Sequence, residues 1–435
     1  MKNIRNLYTR EYLPFAFMMA VNMVFLALAF IIDRPDEVFS GFVRIIQSRS
    51  ILVTDYIALG GIGAALLNVS IVGLSTVIML IRLDVKPSGA NIMALWMEIG
   101  FAFFGKNVFN MIPLTCGVLL FSKYSKVSFS KYYLSALLVA TLCPTISEIA
   151  FLGRFSRPVE ILAGVLLGFV VGFIFPAVSA DSVKVHSAFN LYNMGFAGGL
   201  IATMLATLFK SLGIDIVPAA YWSHGNNTFF AGLLYSLSLV MLATGLLTSL
   251  TKETPRITAK KNLEGYRNIH KQPGRLMPDY YEMFENSIYI NMAVLCSFAT
   301  TVVLVLGAEL NGPAIAGILT MTGFGSLGKH LRNVAPVVIG AVMSAFINKW
   351  DPAAPVNIVA ILFSSGLAPI SGMFGPIWGV IAGFLHVNIA THIGDLNGGL
   401  NLYNNGFAAA FVAMFLLPII TIFKKDTYFK KDKYK

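Results

Sequence analysis

Charge is what this chain lacks most. Only 12% of its 435 residues are Asp, Glu, Lys or Arg, 56% are hydrophobic, and the mean hydropathy is +0.73. A soluble domain carries about a quarter charged residues, so a water-facing surface over this length is excluded. Cysteine is nearly absent: Cys116, Cys143 and Cys296 stand alone in apolar stretches. Without CxxC or Cys/His spacing there is no zinc site or disulfide framework to expect. The histidines are scattered, and His386 and His392 are badly spaced for a metal pair on one helix face. No metal and no cofactor are expected. HExxH, GxSxG, a phosphate-binding GxxxxGK[ST] loop and an Asp-rich diphosphate motif are all missing. No enzymatic activity is expected either.

What is present is a series of long apolar runs, many near the roughly 20 residues that a spanning helix needs. They are continuous rather than alternating, which argues against a membrane β-barrel. The runs cover 13–32, 55–82, 89–122, 131–152, 159–178, 191–212, 227–250, 287–308, 312–348, 356–373, 376–393 and 402–423. The fold class expected is an all-α polytopic membrane protein in a lipid bilayer. The first run is longer than the apolar core of a signal peptide and has no small-residue cleavage site, so it reads as a retained span. Two runs, 89–122 and 312–348, are too long for one crossing, and each is interrupted by Gly-Lys (FFGKN, SLGKH). Glycine permits reversal and an ionised Lys is costly at mid-bilayer. Each is therefore expected to be a helical hairpin, re-entrant or made of two short spans, beside about ten spanning helices.

The two odd runs match each other. Residues 88–113 align with 311–336 without gaps, pairing Gly89/Gly312, Ile92/Ile315, Gly100/Gly323, Phe101/Phe324, Gly105/Gly328, Lys106/Lys329, Asn110/Asn333 and Pro113/Pro336. GVLLGF at 164–169 then pairs with GVIAGF at 379–384, and NLYNMGF at 190–196 with NLYNNGF at 401–407. Three matches in one order imply an internal repeat. The domain organisation expected is an extra span and loop (1–50), repeat 1 (51–212), a connecting span (213–250), a basic linker (251–286), repeat 2 (287–423) and a basic tail (424–435).

Lys and Arg accumulate on the cytoplasmic side of membranes. They cluster in the N-terminus (Lys2, Arg5, Arg10), the linker (Arg256, Lys260, Lys261, Arg267, Lys271, Arg275) and the tail (Lys430, Lys431, Lys433, Lys435). All three segments share one face only if both Gly-Lys runs return to the side they left. The hairpins then enter from opposite faces. This predicts two inverted-topology repeats, a common transporter plan with its site near the midplane. Both termini are expected in the cytoplasm of a cell with this protein in its plasma membrane.

Lys106 and Lys329 are the leading substrate-binding candidates, as paired ammonium groups facing an anionic or strongly polar solute, with Arg332 as a third cation. The bland alternative makes each Gly-Lys an exposed turn. Asn110 and Asn333 follow one helical turn later and can contact solute or bond backbone. In the twin motifs, Asn190, Tyr192 and Asn193 pair with Asn401, Tyr403 and Asn404, uncharged donors and acceptors able to replace hydration. Helix capping is the competing role. Glu98 and Glu148 are rare acids in apolar runs, suited either to relaying protons or to pairing with Lys106. The function expected is a transporter or channel for a small polar or anionic solute. The alternatives are an integral membrane enzyme acting on a lipid-linked substrate, or a signalling or structural membrane protein. A nucleic-acid partner is not expected, and a homo-oligomer is left open.

With NLYNMGF, GFGSLGKH and IGDLNGGLNLYNNGF in view, nearly the whole chain resembles a prokaryotic multi-pass membrane family, domain of unknown function 1576. The resemblance implies a polytopic membrane protein and carries no activity or site residues.

Overall fold

A chain with few charges and long apolar runs satisfies its backbone by helix formation, because an unpaired N–H or C=O in hydrocarbon costs several kcal/mol. The computed structural model describes residues 10–50, 54–214, 216, 221–249 and 254–424. Most of the residues counted for orientation in the N-terminus and tail lie outside these described residues. Among the described residues there are helices and isolated bridges, with no strands.

In chain order the helices are α1 (Leu13–Ile32), α2 (Pro35–Ile46), α3 (Tyr56–Gly60), α4 (Ile62–Arg82), α5 (Gly89–Phe101), α6 (Val108–Tyr124), α7 (Tyr133–Leu138), α8 (Cys143–Ala150), α9 (Arg157–Val185) and α10 (Asn193–Ser211). They continue as α11 (Asn227–Leu247), α12 (Pro255–Ile269), α13 (Tyr280–Phe284), α14 (Ser287–Val305), α15 (Gly312–Gly323), α16 (Leu331–Ile347), α17 (Pro355–Phe363), α18 (Ala368–Phe374), α19 (Pro376–Asn397) and α20 (Asn404–Lys424). Ten helical segments among the described residues are long and apolar enough to cross a membrane. The chain is a multi-pass membrane protein.

The succession α3 to α10 has the same order and similar lengths as α13 to α20. Both long Gly-Lys runs break, between α5 and α6 and between α15 and α16, where Gly105 and Gly328 take φ +72° and +83°. Only glycine adopts such angles without strain. Two further breaks were not legible as interruptions of their runs. Short 3-10 turns at Val139–Leu142 and Ser364–Leu367 divide α7 from α8 and α17 from α18. The hydrophilic linker is itself helical: α12 and α13 lie within it.

Ser88 and Asn311 cap α5 and α15, and each half adds an acceptor to the other's helix start. The Asp279 carboxylate, at the start of α13, accepts from Tyr281 and Glu282 N and also from Gly89 N at 2.7 and 2.9 Å, at the start of α5. Asp55, at the start of α3, accepts from Ile57 N and Ser223 and lies against Gly312 at the start of α15. A Cβ at Gly89 would come within 2.4 Å of Ser326 O and 2.6 Å of Asp279 Oδ1; one at Gly312 would come within 2.5 Å of Phe103 O and 2.6 Å of Asp55 Oδ1. Each broken helix thus begins beside the turn that ends the other, so α5 and α15 run antiparallel, side by side, through the core.

Amide side chains close the exposed carbonyls of both turns. Asn68 Nδ2 on α4 donates to Ala102 O and Lys106 O, both 2.8 Å. Asn291 Nδ2 on α14 donates to Gly325 O at 2.7 Å and Lys329 O at 2.8 Å. Removing such a donor leaves buried carbonyls unpaired, a loss of about 1–3 kcal/mol. Asn68→Ala and Asn291→Ala are each expected to lower the thermal unfolding midpoint of the detergent-solubilised protein. An unchanged midpoint in both would show that these clamps do not support the turns.

Candidate functional site

The turns after α5 and α15 each carry their lysine inward. Lys106 and Lys329 are 1% and 0% exposed, so neither Gly-Lys is an exposed turn. Their surroundings differ sharply. Lys106 Nζ forms an ion pair with Glu98 Oε2, with both side chains buried. The position equivalent to Glu98 in the second half is Met321, also buried. Lys329 Nζ instead donates to Tyr192 Oη and, at 2.9 Å, to Ser365 Oγ. It lies 4.3 Å from the centre of the Tyr192 ring and 4.6 Å from that of Phe324. Among the described residues it has no carboxylate within ion-pair distance. A cation on an aromatic face gains some electrostatic energy, more when desolvated, but no compensating charge.

The twin motifs meet at the centre. The rings of Tyr192 and Tyr403 are 4.5 Å apart, and α10 and α20 cross where Gly195 and Gly406 let backbones touch. Asn190 Nδ2 donates to Gly406 O and Asn401 Nδ2 to Gly195 O, while each Oδ1 accepts from the N–H of its own tyrosine. Leu191 N donates to Gly366 O and Leu402 N to Thr141 O, so each motif docks on the 3-10 break of the opposite half. Asn193 joins His186 and Ser179 O; Asn404 accepts from Asn397. The four motif amides are therefore committed to protein. Asn110 and Asn333 are likewise engaged: each Nδ2 donates to the carbonyl of Gly105 or Gly328, and each Oδ1 accepts from the N-cap residue of its helix, Asn107 or His330.

The tyrosines are another matter. Tyr192 Oη receives Lys329 and lies 3.1 Å from Ser365 Oγ. The Tyr403 hydroxyl, fully buried, faces the Tyr192 hydroxyl in an interaction short of ordinary hydrogen-bond geometry. The reason is visible in the pseudo-symmetry. Its lysine counterpart, Lys106, is taken by Glu98, and its hydroxyl counterpart, Thr141, donates to Asn401 Oδ1. Phe101, Phe324 and Phe363 enclose the two tyrosines, with ring centres 5.1–6.0 Å from one or other of them.

The structure thus brings Lys329, Tyr192 and Tyr403 together, and surrounds them with the amide frame of Asn190 and Asn401. Arg332 is not with them: it is exposed on α16. Glu148 pairs with Arg49, at 2.9 Å between Nε and Oε2. Sequence reasoning missed Ser365, Thr141, Asn68, Asn291, Asp55 and Asp279. A signal was there: 68/291 share the 223-residue offset of the lysines, and 55/279 and 141/365 lie at 224. No three or more His, Cys, Asp or Glu side chains among the described residues are grouped to hold a metal.

A family model described as "Protein of unknown function (DUF1576)" matches residues 34–211 and 258–422. No curated protein and no solved structure matches the chain.

Breaking a buried ion pair by removing one partner costs about 3–5 kcal/mol, whereas replacing both by apolar groups is close to neutral. Glu98→Met and Lys106→Met should each destabilise strongly, and the double variant should recover most of the loss, as measured by equilibrium unfolding in micelles. Additive losses would show the two side chains to be energetically independent. Lys329→Met has no carboxylate to strand and should cost much less.

Proposed function

We propose, from the premise that the chain belongs to the DUF1576 family of proteins of unknown function, that it is a membrane transporter for a small polar or anionic solute. The single observation that carries this reading is the buried Lys329 amine, bonded to the Tyr192 and Ser365 hydroxyls with no carboxylate at ion-pair distance among the described residues. Buried ionisable groups at membrane depth are expensive and mark ion or substrate paths more often than structural frames. A small anion seated there would offset the ammonium, so a group that is costly without solute becomes favourable with it.

The reciprocal caps, clamps and motif contacts support two inverted-topology repeats with the site at their interface, and broken helices at such interfaces are the transporter plan. Two helices, α10 and α20, begin at the motifs, aiming the positive ends of their dipoles inward. Contact between the five aromatic rings favours a carrier that must shift its halves over an open pore. With the basic linker and tail on one side, the chain reads as a plasma-membrane protein with cytoplasmic termini.

The test is uptake of labelled chloride, nitrate, sulfate, phosphate and succinate by proteoliposomes holding the full chain, with urea as the neutral control. At least one anion should enter faster than into empty vesicles. A charge-assisted contact is worth about 1.5–3 kcal/mol, or roughly a ten- to hundredfold effect, so Lys329→Ala should slow that uptake by at least tenfold. Equal uptake by wild type and Lys329→Ala, or none by either, would sink the proposal.

A further inference from the structure

We infer that the solute crosses together with a proton, which Lys329 carries. This rests on the transport reading above and adds a co-substrate to it.

The halves differ where symmetry would demand sameness. Glu98 balances Lys106 permanently. Met321 leaves Lys329 unbalanced. Every element packed around Lys329 can be checked for another charge. The segment before α10 contributes Tyr192, the 3-10 break before α18 contributes Ser365, and the turn after α15 contributes Phe324. Tyr403 stands behind Tyr192, and Asn291 of α14 holds Lys329's own carbonyl. His330, next in the chain, turns away, with Nε2 on Gln272 O and Nδ1 accepting from Asn333 N. The titratable neighbours are the two tyrosines, and no described group facing the amine is negatively charged.

The shell suits both forms of the amine. The Ser365 hydroxyl donates to Leu362 O at 2.7 Å, so its oxygen accepts from Lys329 whether or not the amine is protonated. The Tyr192 hydroxyl has two roles within reach. It accepts from an ammonium while donating to Ser365 Oγ, 3.1 Å away, or it rotates to donate to the lone pair of a neutral amine. One hydroxyl rotation separates the two states.

Burying an unpaired charge in hydrocarbon is unfavourable, and a neighbouring opposite charge removes most of the penalty. The empty site therefore favours the amine and the loaded site the ammonium. Binding is –NH₂ + H⁺ + A⁻ → –NH₃⁺···A⁻; release is the reverse. The one covalent change is an N–H bond, made with a proton from the aqueous phase that supplies the anion and broken toward the phase that receives it. Each monoanion then crosses without net charge.

Full-length protein is reconstituted with the pH dye pyranine trapped inside, and the membrane potential is held at zero with potassium and valinomycin. The same five anions are applied as inward gradients. The transported anion should acidify the lumen, at one proton per monoanion, and its uptake should quicken as the external pH is lowered. Lys329→Arg stays protonated at all working pH values. It should still show anion-dependent thermal stabilisation and should lose the acidification. Wild-type uptake with no pH change overturns proton coupling and leaves the transport reading standing. Acidification that persists in Lys329→Arg assigns the proton to another group and overturns the role of Lys329. No uptake of any anion overturns both readings.

Discussion

Everything in this fold answers to one constraint: a backbone carbonyl or N–H released from a helix inside the membrane needs a partner from the protein. Among the described residues, helices break near the core at the two Gly-Lys turns and at the two 3-10 segments. Asparagine repairs most of the damage. Asn68 and Asn291 each cover two turn carbonyls, Asn110 and Asn333 close the Gly105 and Gly328 turns, and Asn190 and Asn401 cross to the opposite half's glycine carbonyls. Each of these amide nitrogens is spent on backbone, while the Oδ1 atoms of Asn68 and Asn291 have no hydrogen-bond partner among the described residues. Against that frame Lys329 stands apart, a buried amine bonded to two hydroxyls and to no carboxylate among the described residues.

Reciprocity is the second consequence. Besides their own caps, Ser88 and Asn311, α5 and α15 are met at their first residues by Asp279 and Asp55 of the opposite halves, and each NLYN motif docks on the other half's 3-10 break. Each half closes its own Gly-Lys turn with asparagines but takes further backbone partners from the other half. The same contacts lie at opposite ends of the antiparallel pair α5 and α15. A relative movement of the halves would have to exchange these polar contacts in sets, which favours a few discrete arrangements over a continuum.

Much of this was legible in the residues, for physical reasons that also mark the limit. Gly-Lys within an apolar run is a strong signal, because glycine frees φ and lysine resists burial, and the buried turns occur at those residues. The twin motifs were legible as mates, and the tilted rings of Tyr192 and Tyr403 lie in contact. Their amides looked equally suited to solute or to frame, since composition cannot say which acceptors lie across an interface. The 3-10 breaks in 131–152 and 356–373 were hidden because VATL contains no glycine or proline and SSGL only one glycine. The matched Pro144 and Pro369 that open α8 and α18 were the usable sign. Arg332 shared the lysines' neighbourhood in sequence but not their helix face: three residues on from Lys329, across a turn and a cap, α16 presents it outward.

The departure from symmetry follows from electrostatics. A faithful duplicate would place two unpaired lysines in one low-dielectric core, where like charges repel with little screening. Glu98 removes one of them from contention by turning Lys106 into half of a neutral pair that fixes its turn. Nothing similar can be done at Lys329 without also cancelling the only uncompensated positive position in the centre. Met321 keeps that position open while filling the same volume with apolar side chain. One half thus holds its lysine in an ion pair and the other leaves it without a carboxylate, and Tyr403 is left facing Tyr192 because the lysine in the matching position is held by Glu98.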